Sequence, residues 1–134
     1  MSLATDRPIL VVDDDDDIRD LLREALTDEG YTVHSAPNGR AALRVLDDQL
    51  PALILLDLNM PELDGWGFVR ELAKRRITIP VLLVTAERNG KDHAKTLEAA
   101  GFIGKPFDVT DVLTTIKQLL ADAIEPHATI DAPA

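Results

Sequence analysis

The chain has 134 residues, no cysteine and a formal net charge of −10. That length suits one domain with a substantial core, and the lack of cysteine excludes disulfides and thiolate metal sites and fits a reducing, cytoplasmic location. The acidic balance argues against direct nucleic-acid binding, and no apolar stretch approaches the roughly 20 residues of a membrane span.

No signal peptide is expected ahead of Ile9. Ile9–Asp13 reads as a strand, an apolar run ending in acid. The helix after it places Ile18, Leu21, Leu22, Ala25 and Leu26 on one face, and Gly30 marks its end. Tyr31–Ser35 alternates as a short strand, and Asn38 caps a helix carrying Ala42, Leu43 and Leu46. Pro51 interrupts the chain before a third strand, which ends at Asp57. The loop Leu58–Gly65 follows, then a helix through Phe68, Val69 and Leu72. Pro80 opens a strand over Val81–Thr85, and a polar helix with Leu97 leads through Gly101 to a fifth strand, Phe102–Lys105. Asp108 caps the last helix, with Asp111 at the third position of a capping box and Val112, Leu113, Ile116, Leu119 and Leu120 on its apolar face. Residues 1–6 and the tail 125–134, which holds two prolines, are expected to be flexible, leaving 7–122 as the domain.

Five β-α units imply a parallel sheet with right-handed crossovers, and runs of Val, Ile and Leu suit strands buried on both faces. Periodicity leaves the strand order open between Rossmann-like and flavodoxin-like. In the order 2-1-3-4-5, Asp13, Asp14 and Asp57 would meet at the switch point beyond the carboxyl ends of the strands. Three carboxylates so close must recruit a hard cation or keep a proton. Thr85 and Lys105 end two further strands. A carboxylate nucleophile, a divalent cation, a hydroxyl and an ammonium together suit phosphorylation on aspartate, where catalysis is positioning and charge stabilisation.

The segments Ile9-Leu10-Val11-Val12-Asp13-Asp14, Leu55-Leu56-Asp57-Leu58-Asn59-Met60-Pro61-Glu62-Leu63-Asp64-Gly65, Val84-Thr85-Ala86 and Lys105-Pro106-Phe107 resemble the signature of bacterial two-component response-regulator receiver domains (CheY-like). The resemblance covers about residues 7–122. It implies an α/β, (βα)5 flavodoxin-like three-layer sandwich with a parallel five-stranded sheet in the order 2-1-3-4-5. It makes Asp57 the phosphoacceptor, with Asp14 binding Mg2+ directly, Asp13 mainly through water, and the Asn59 carbonyl completing the protein ligands. Lys105 would pair with Asp57 and then with the phosphoryl group, across a Lys105–Pro106 bond often cis in the family. Thr85 would hydrogen-bond a phosphoryl oxygen, and Phe102 matches a switch aromatic that moves with Thr85, here without the hydroxyl of a tyrosine. Ala86 matches a small residue that leaves the phosphoryl group reachable. Asn59 and Glu87 stand at the two positions that tune rate in the family. Both are polar and able to orient water, so quick self-dephosphorylation is expected.

Other readings fit less well. Asp13, Asp15, Asp17 and Glu24 match positions 1, 3, 5 and 12 of a calcium loop, but Ile18 stands where the turn needs glycine. Asp15–Asp17 instead suit the start of the first helix, whose dipole favours acids. A haloacid-dehalogenase-like phosphatase needs a second aspartate two residues after its nucleophile, where Asn59 stands, and a dinucleotide site lacks its glycine-rich turn. His34, His93 and His127 lie on separate elements and read as surface or packing residues, so the phosphodonor should be another protein. Trp66, following Gly65, reads as a packing residue placed to report on Asp57.

The expected function is therefore a signalling phosphoacceptor rather than a metabolic enzyme. It would take its phosphoryl group from a sensor histidine kinase or histidine phosphotransfer protein. The face of the last two β-α units would then switch toward a downstream protein or output domain. A phosphorylation-dependent homodimer is compatible with this, as is either a stand-alone regulator or part of a longer protein. The alternative is a receiver-like interaction module that is not phosphorylated.

Overall fold

A computed structural model of the chain describes residues 7–131, with side chains through Asp122. Strands β1 (Ile9–Val12), β2 (Val33–Ala36), β3 (Leu53–Leu56), β4 (Val81–Thr85) and β5 (Gly101–Gly104) alternate with helices α1 (Asp16–Asp28), α2 (Gly39–Asp48), α3 (Gly65–Lys74), α4 (Gly90–Leu97) and α5 (Val109–Asp131). All strands pair in parallel, in the order β2-β1-β3-β4-β5. The expected (βα)5 sandwich is the observed one, and of the two strand orders left open by periodicity the flavodoxin-like order is adopted.

Side chains of the central strands alternate between two cores, because successive residues of a strand point to opposite faces of the sheet. Leu10, Val12, Ile54, Leu56, Val81 and Leu83 pack with Ala42, Leu46, Phe68, Leu72 and Ala94 of α2, α3 and α4. Ile9, Val11, Leu53, Leu55, Leu82 and Val84 pack with Leu22, Leu26, Val112, Ile116 and Leu120 of α1 and α5. Burial on both faces is why these strands carry uninterrupted apolar runs.

Side chains cap the starts of four of the five helices, at Asn38 and Asp108 as expected from the sequence. Asp15, Asn38 and Asp64 accept hydrogen bonds from backbone N–H groups of the first turns of α1, α2 and α3. Asp108 accepts from the N–H of Thr110 at 2.9 Å. The end of α1 is a complete Schellman motif, in which Gly30 N–H donates to the Thr27 carbonyl and Tyr31 N–H to the Leu26 carbonyl. That closure explains why β2 begins at Val33 and not at the expected Tyr31: the Tyr31 N–H is committed to the helix. The fifth strand likewise lies one residue earlier than expected, at Gly101–Gly104.

Residues 125–131, expected to lie in a flexible tail, continue the backbone helix of α5. The remainder of that expectation, at 1–6 and 132–134, falls outside the described residues. Among the described residues no helix is long and apolar enough to cross a membrane.

Candidate functional site

Register brings the strand ends to one level. Val12 is paired with Leu56, Leu56 with Leu83, and Thr85 with Gly104. The ladder continues one step further, with Asp57 N–H donating to the Val12 carbonyl and Lys105 N–H to the Thr85 carbonyl, each at 3.0 Å. Asp13, Asp57, Thr85 and Lys105 therefore leave four strands at the same end of the sheet. Asp13, Asp57 and Thr85 are 2 %, 6 % and 1 % exposed, and they form the floor of the site. Asp14 and Asn59 are exposed at its rim.

Carboxylate oxygens of Asp13, Asp14 and Asp57 lie within 4.8 Å of one another. Two opposite Mg–O bonds span about 4 Å, so a small closure would bring these oxygens within reach of one hard cation, directly or through a bound water. The donor set is all oxygen, which suits magnesium and offers nothing to a soft metal. The residues present thus fit the divalent cation expected from the sequence.

Lys105 Nζ donates to Asp13 Oδ2 at 2.7 Å and to Asp57 Oδ2 at 3.0 Å. The sequence reading pairs this lysine with Asp57 alone; the contact with Asp13 is the shorter. Burial works against the ammonium, but the hydrogen bonds and charges of Asp13 and Asp57 outweigh it and raise the Lys105 pKa above its ordinary value. Burial raises the carboxyl of Asp13, against the opposing pull of Lys105 and of the Asp15 N–H. The Lys105–Pro106 peptide bond is cis.

Asn59 and Glu87 make a contact that the sequence alone does not reveal. The Asn59 amide donates to Glu87 Oε2, joining the β3–α3 loop to the β4–α4 loop. Asn59 N–H also approaches Asp57 Oδ1 at 3.4 Å, and Glu87 N–H donates to Thr85 Oγ1 at 3.2 Å. The two residues at the rate-tuning positions hold one another as well as the groups beside them. Each was expected to face a water; neither sequence spacing nor composition signals a bond between residues 28 apart.

The loop after Asp57 folds back closely. A Cβ on Gly65 would lie 2.6 Å from the Asp57 carbonyl oxygen, so only glycine allows α3 to begin there. Trp66, the next residue, meets His93 of α4 edge to face with ring centroids 4.9 Å apart. Both act as packing residues, as expected. Phe102 is half-buried, and its ring lies over Gly90, where a Cβ would meet Phe102 Cζ at 2.6 Å.

The five-aspartate run divides its labour. Asp15 caps α1 through the N–H groups of Asp17 and Ile18, at 2.9 and 3.1 Å. Asp16 pairs with Arg19, whose other terminal nitrogen donates to the Asp13 carbonyl at 2.7 Å. Arg19 is a residue that the sequence reading missed. Its signal is an arginine one turn into α1, three residues after an acid.

The family described as response regulator receiver domain matches residues 9–117. A 14.6 kDa protein of Leptolyngbya boryana is 41% identical over 123 residues, covering 88% of this chain and 93% of that protein. The regulatory protein AtoC of Escherichia coli K12 is 34% identical over 114 residues, or 84% of this chain, which spans only 25% of AtoC. The chemotaxis protein CheY4 of Vibrio cholerae superposes with a TM-score of 0.76 at 32% identity, covering 84% of this chain and 97% of that one.

Proposed function

The chain belongs to the response regulator receiver domain family, and from that premise we propose that it accepts a phosphoryl group on Asp57 from a histidine kinase or histidine phosphotransfer protein. The observation that carries this reading is the buried Asp57 carboxylate, held by Lys105 at 3.0 Å beside Asp13 and Asp14.

An Asp57 oxygen forms the new O–P bond as the donor histidine's N–P bond breaks, and the departing imidazole nitrogen regains its proton from solvent. Asp14, Asp57 and the Asn59 carbonyl would hold a Mg2+ ion, with Asp13 acting through water, and its positive charge would offset the negative charge of the phosphoryl oxygens. Lys105, already between Asp13 and Asp57, offers its ammonium to the same oxygens. The Thr85 hydroxyl, accepting from Glu87 N–H, keeps its own proton to donate to a phosphoryl oxygen. The added charge, close to two units at neutral pH, pulls Lys105 and Thr85 toward it. Phe102 then repacks on α4, and the face of α4, β5 and α5 changes for a downstream protein or output domain.

The test is intact mass after incubation with Mg2+ and phosphoramidate, beside Asp57→Asn and a metal-free control. A gain of one phosphoryl group, lost in both controls, is expected. Folded protein that gains none would leave an unphosphorylated interaction module as the better reading.

Hydrolysis returns the carboxylate when a water oxygen attacks phosphorus and inorganic phosphate leaves. The polar pair Asn59 and Glu87 supports quick loss, and a phosphoryl half-life of hours would sink that reading. Because the two side chains are bonded, the rate effects of Asn59→Ala and Glu87→Ala should not multiply in the double variant, with a coupling on the order of 1 kcal/mol.

A further inference from the structure

Every polar atom of Asp13 is committed. Its N–H donates to the Ala36 carbonyl at 3.1 Å, Oδ1 accepts from Asp15 N–H at 2.9 Å, and Oδ2 accepts from Lys105. Its carbonyl accepts from Arg19 Nη1 at 2.7 Å. Asp14 lies between two of these bonds. The peptide unit before it is held by Arg19 through the Asp13 carbonyl, and the unit after it is held by Asp13 Oδ1 through the Asp15 N–H.

A side chain has a fixed direction only when the backbone on both sides of its Cα is fixed, and Asp14 has no strand or helix to fix it. Arg19 can hold the preceding unit because it is itself held. Its second nitrogen pairs with Asp16 at 2.5 Å, and its side chain is only 18% exposed. The planar fork of a guanidinium serves both acceptors at once; a lysine ammonium could not do so in the same geometry.

We propose that Arg19 is a positioning residue for the cation site. By clamping the Asp13 carbonyl to Asp16, it sets the direction of Asp14 before any metal arrives. This rests on the reading of Asp13, Asp14 and Asp57 as the Mg2+ site and adds a residue that does not touch the ion. Groups that orient ligands in this way typically change metal affinity by about 10- to 100-fold when removed.

The experiment is a titration with Mg2+ alone, read by Trp66 emission, on wild type, Arg19→Met and Arg19→Lys. Methionine keeps the apolar stem and removes both donors. Thermal denaturation in chelator is measured on the same proteins, and phosphoramidate labelling at saturating Mg2+ is followed by mass. Arg19→Met should bind Mg2+ about tenfold more weakly. Its metal-free melting temperature should match wild type, and its labelling should recover fully at high Mg2+. Arg19→Lys should fall between the two. An affinity within twofold of wild type would overturn the proposal, and so would a weakening that only follows a matching loss of metal-free stability. Wild type that binds no Mg2+ would instead overturn the reading of the site itself.

Discussion

Lys105 stands between two buried carboxylates, at 2.7 Å from one and 3.0 Å from the other, with its own side chain 13% exposed. Removing it leaves Asp13 and Asp57 facing each other without a counter-charge. Lys105→Met should therefore destabilise the metal-free protein at neutral pH by on the order of 3 kcal/mol, read by chemical denaturation, and Mg2+ should restore part of the loss. The pH dependence has a definite sign. With a folded pKa above its ordinary value, Lys105 contributes fully below that ordinary value, and its contribution disappears as pH rises through the folded value. The difference in stability between wild type and Lys105→Met should thus shrink at alkaline pH. Tyr31, raised by burial and by Glu29, titrates in both proteins and cancels from that difference. A difference that grew instead would contradict the pairing.

Among the elements, the contact of Phe102 with Gly90 joins β5 to the first residue of α4. A methyl at residue 90 would force the ring from its place. Gly90→Ala should cost about 1–3 kcal/mol despite alanine's better helix propensity. Trimming the ring in Gly90→Ala/Phe102→Leu should recover much of the loss, which equilibrium denaturation of the three variants would measure. A neutral Gly90→Ala would mean that the ring has room to turn. The central elements were legible because β1, β3 and β4 are runs of apolar residues and α2 and α5 begin after a capping side chain. Val81–Thr85 lies where Pro80 places it, and α2 begins after Asn38. What local sequence could not give was backbone commitment at a distance. Nothing in the alternation of Tyr31, Val33 and Ser35 reveals that the Tyr31 N–H closes the preceding helix. The site divides the same way. Asp13, Asp14, Asp57, Thr85 and Lys105 mark themselves by ending strands, whereas the Asn59–Glu87 bond, the Lys105–Asp13 pair and the grip of Arg19 exist only once strands and loops lie side by side.

For the whole molecule, three carboxylates gathered at one end of the sheet would make binding of the proposed cation a stabilising event, since a ligand that binds only the folded state shifts the folding equilibrium. At about a hundred times its dissociation constant, Mg2+ should add about 2.7 kcal/mol, visible as a higher denaturation midpoint. Asp14→Asn should lose most of that gain while folding normally without metal, because Asp14 is exposed and outside both cores. An equal gain in the variant would place the cation elsewhere. The Lys105–Asp13 pair joins residues 92 apart, and Lys105–Asp57 joins residues 48 apart, across the width of the sheet from β5 to β1. A polypeptide still emerging from the ribosome already carries Asp57 long before Lys105 has been added. Such a nascent chain holds Asp57 without its ammonium partner, so the proposed phosphoacceptor site is complete only once β5 has docked beside β4.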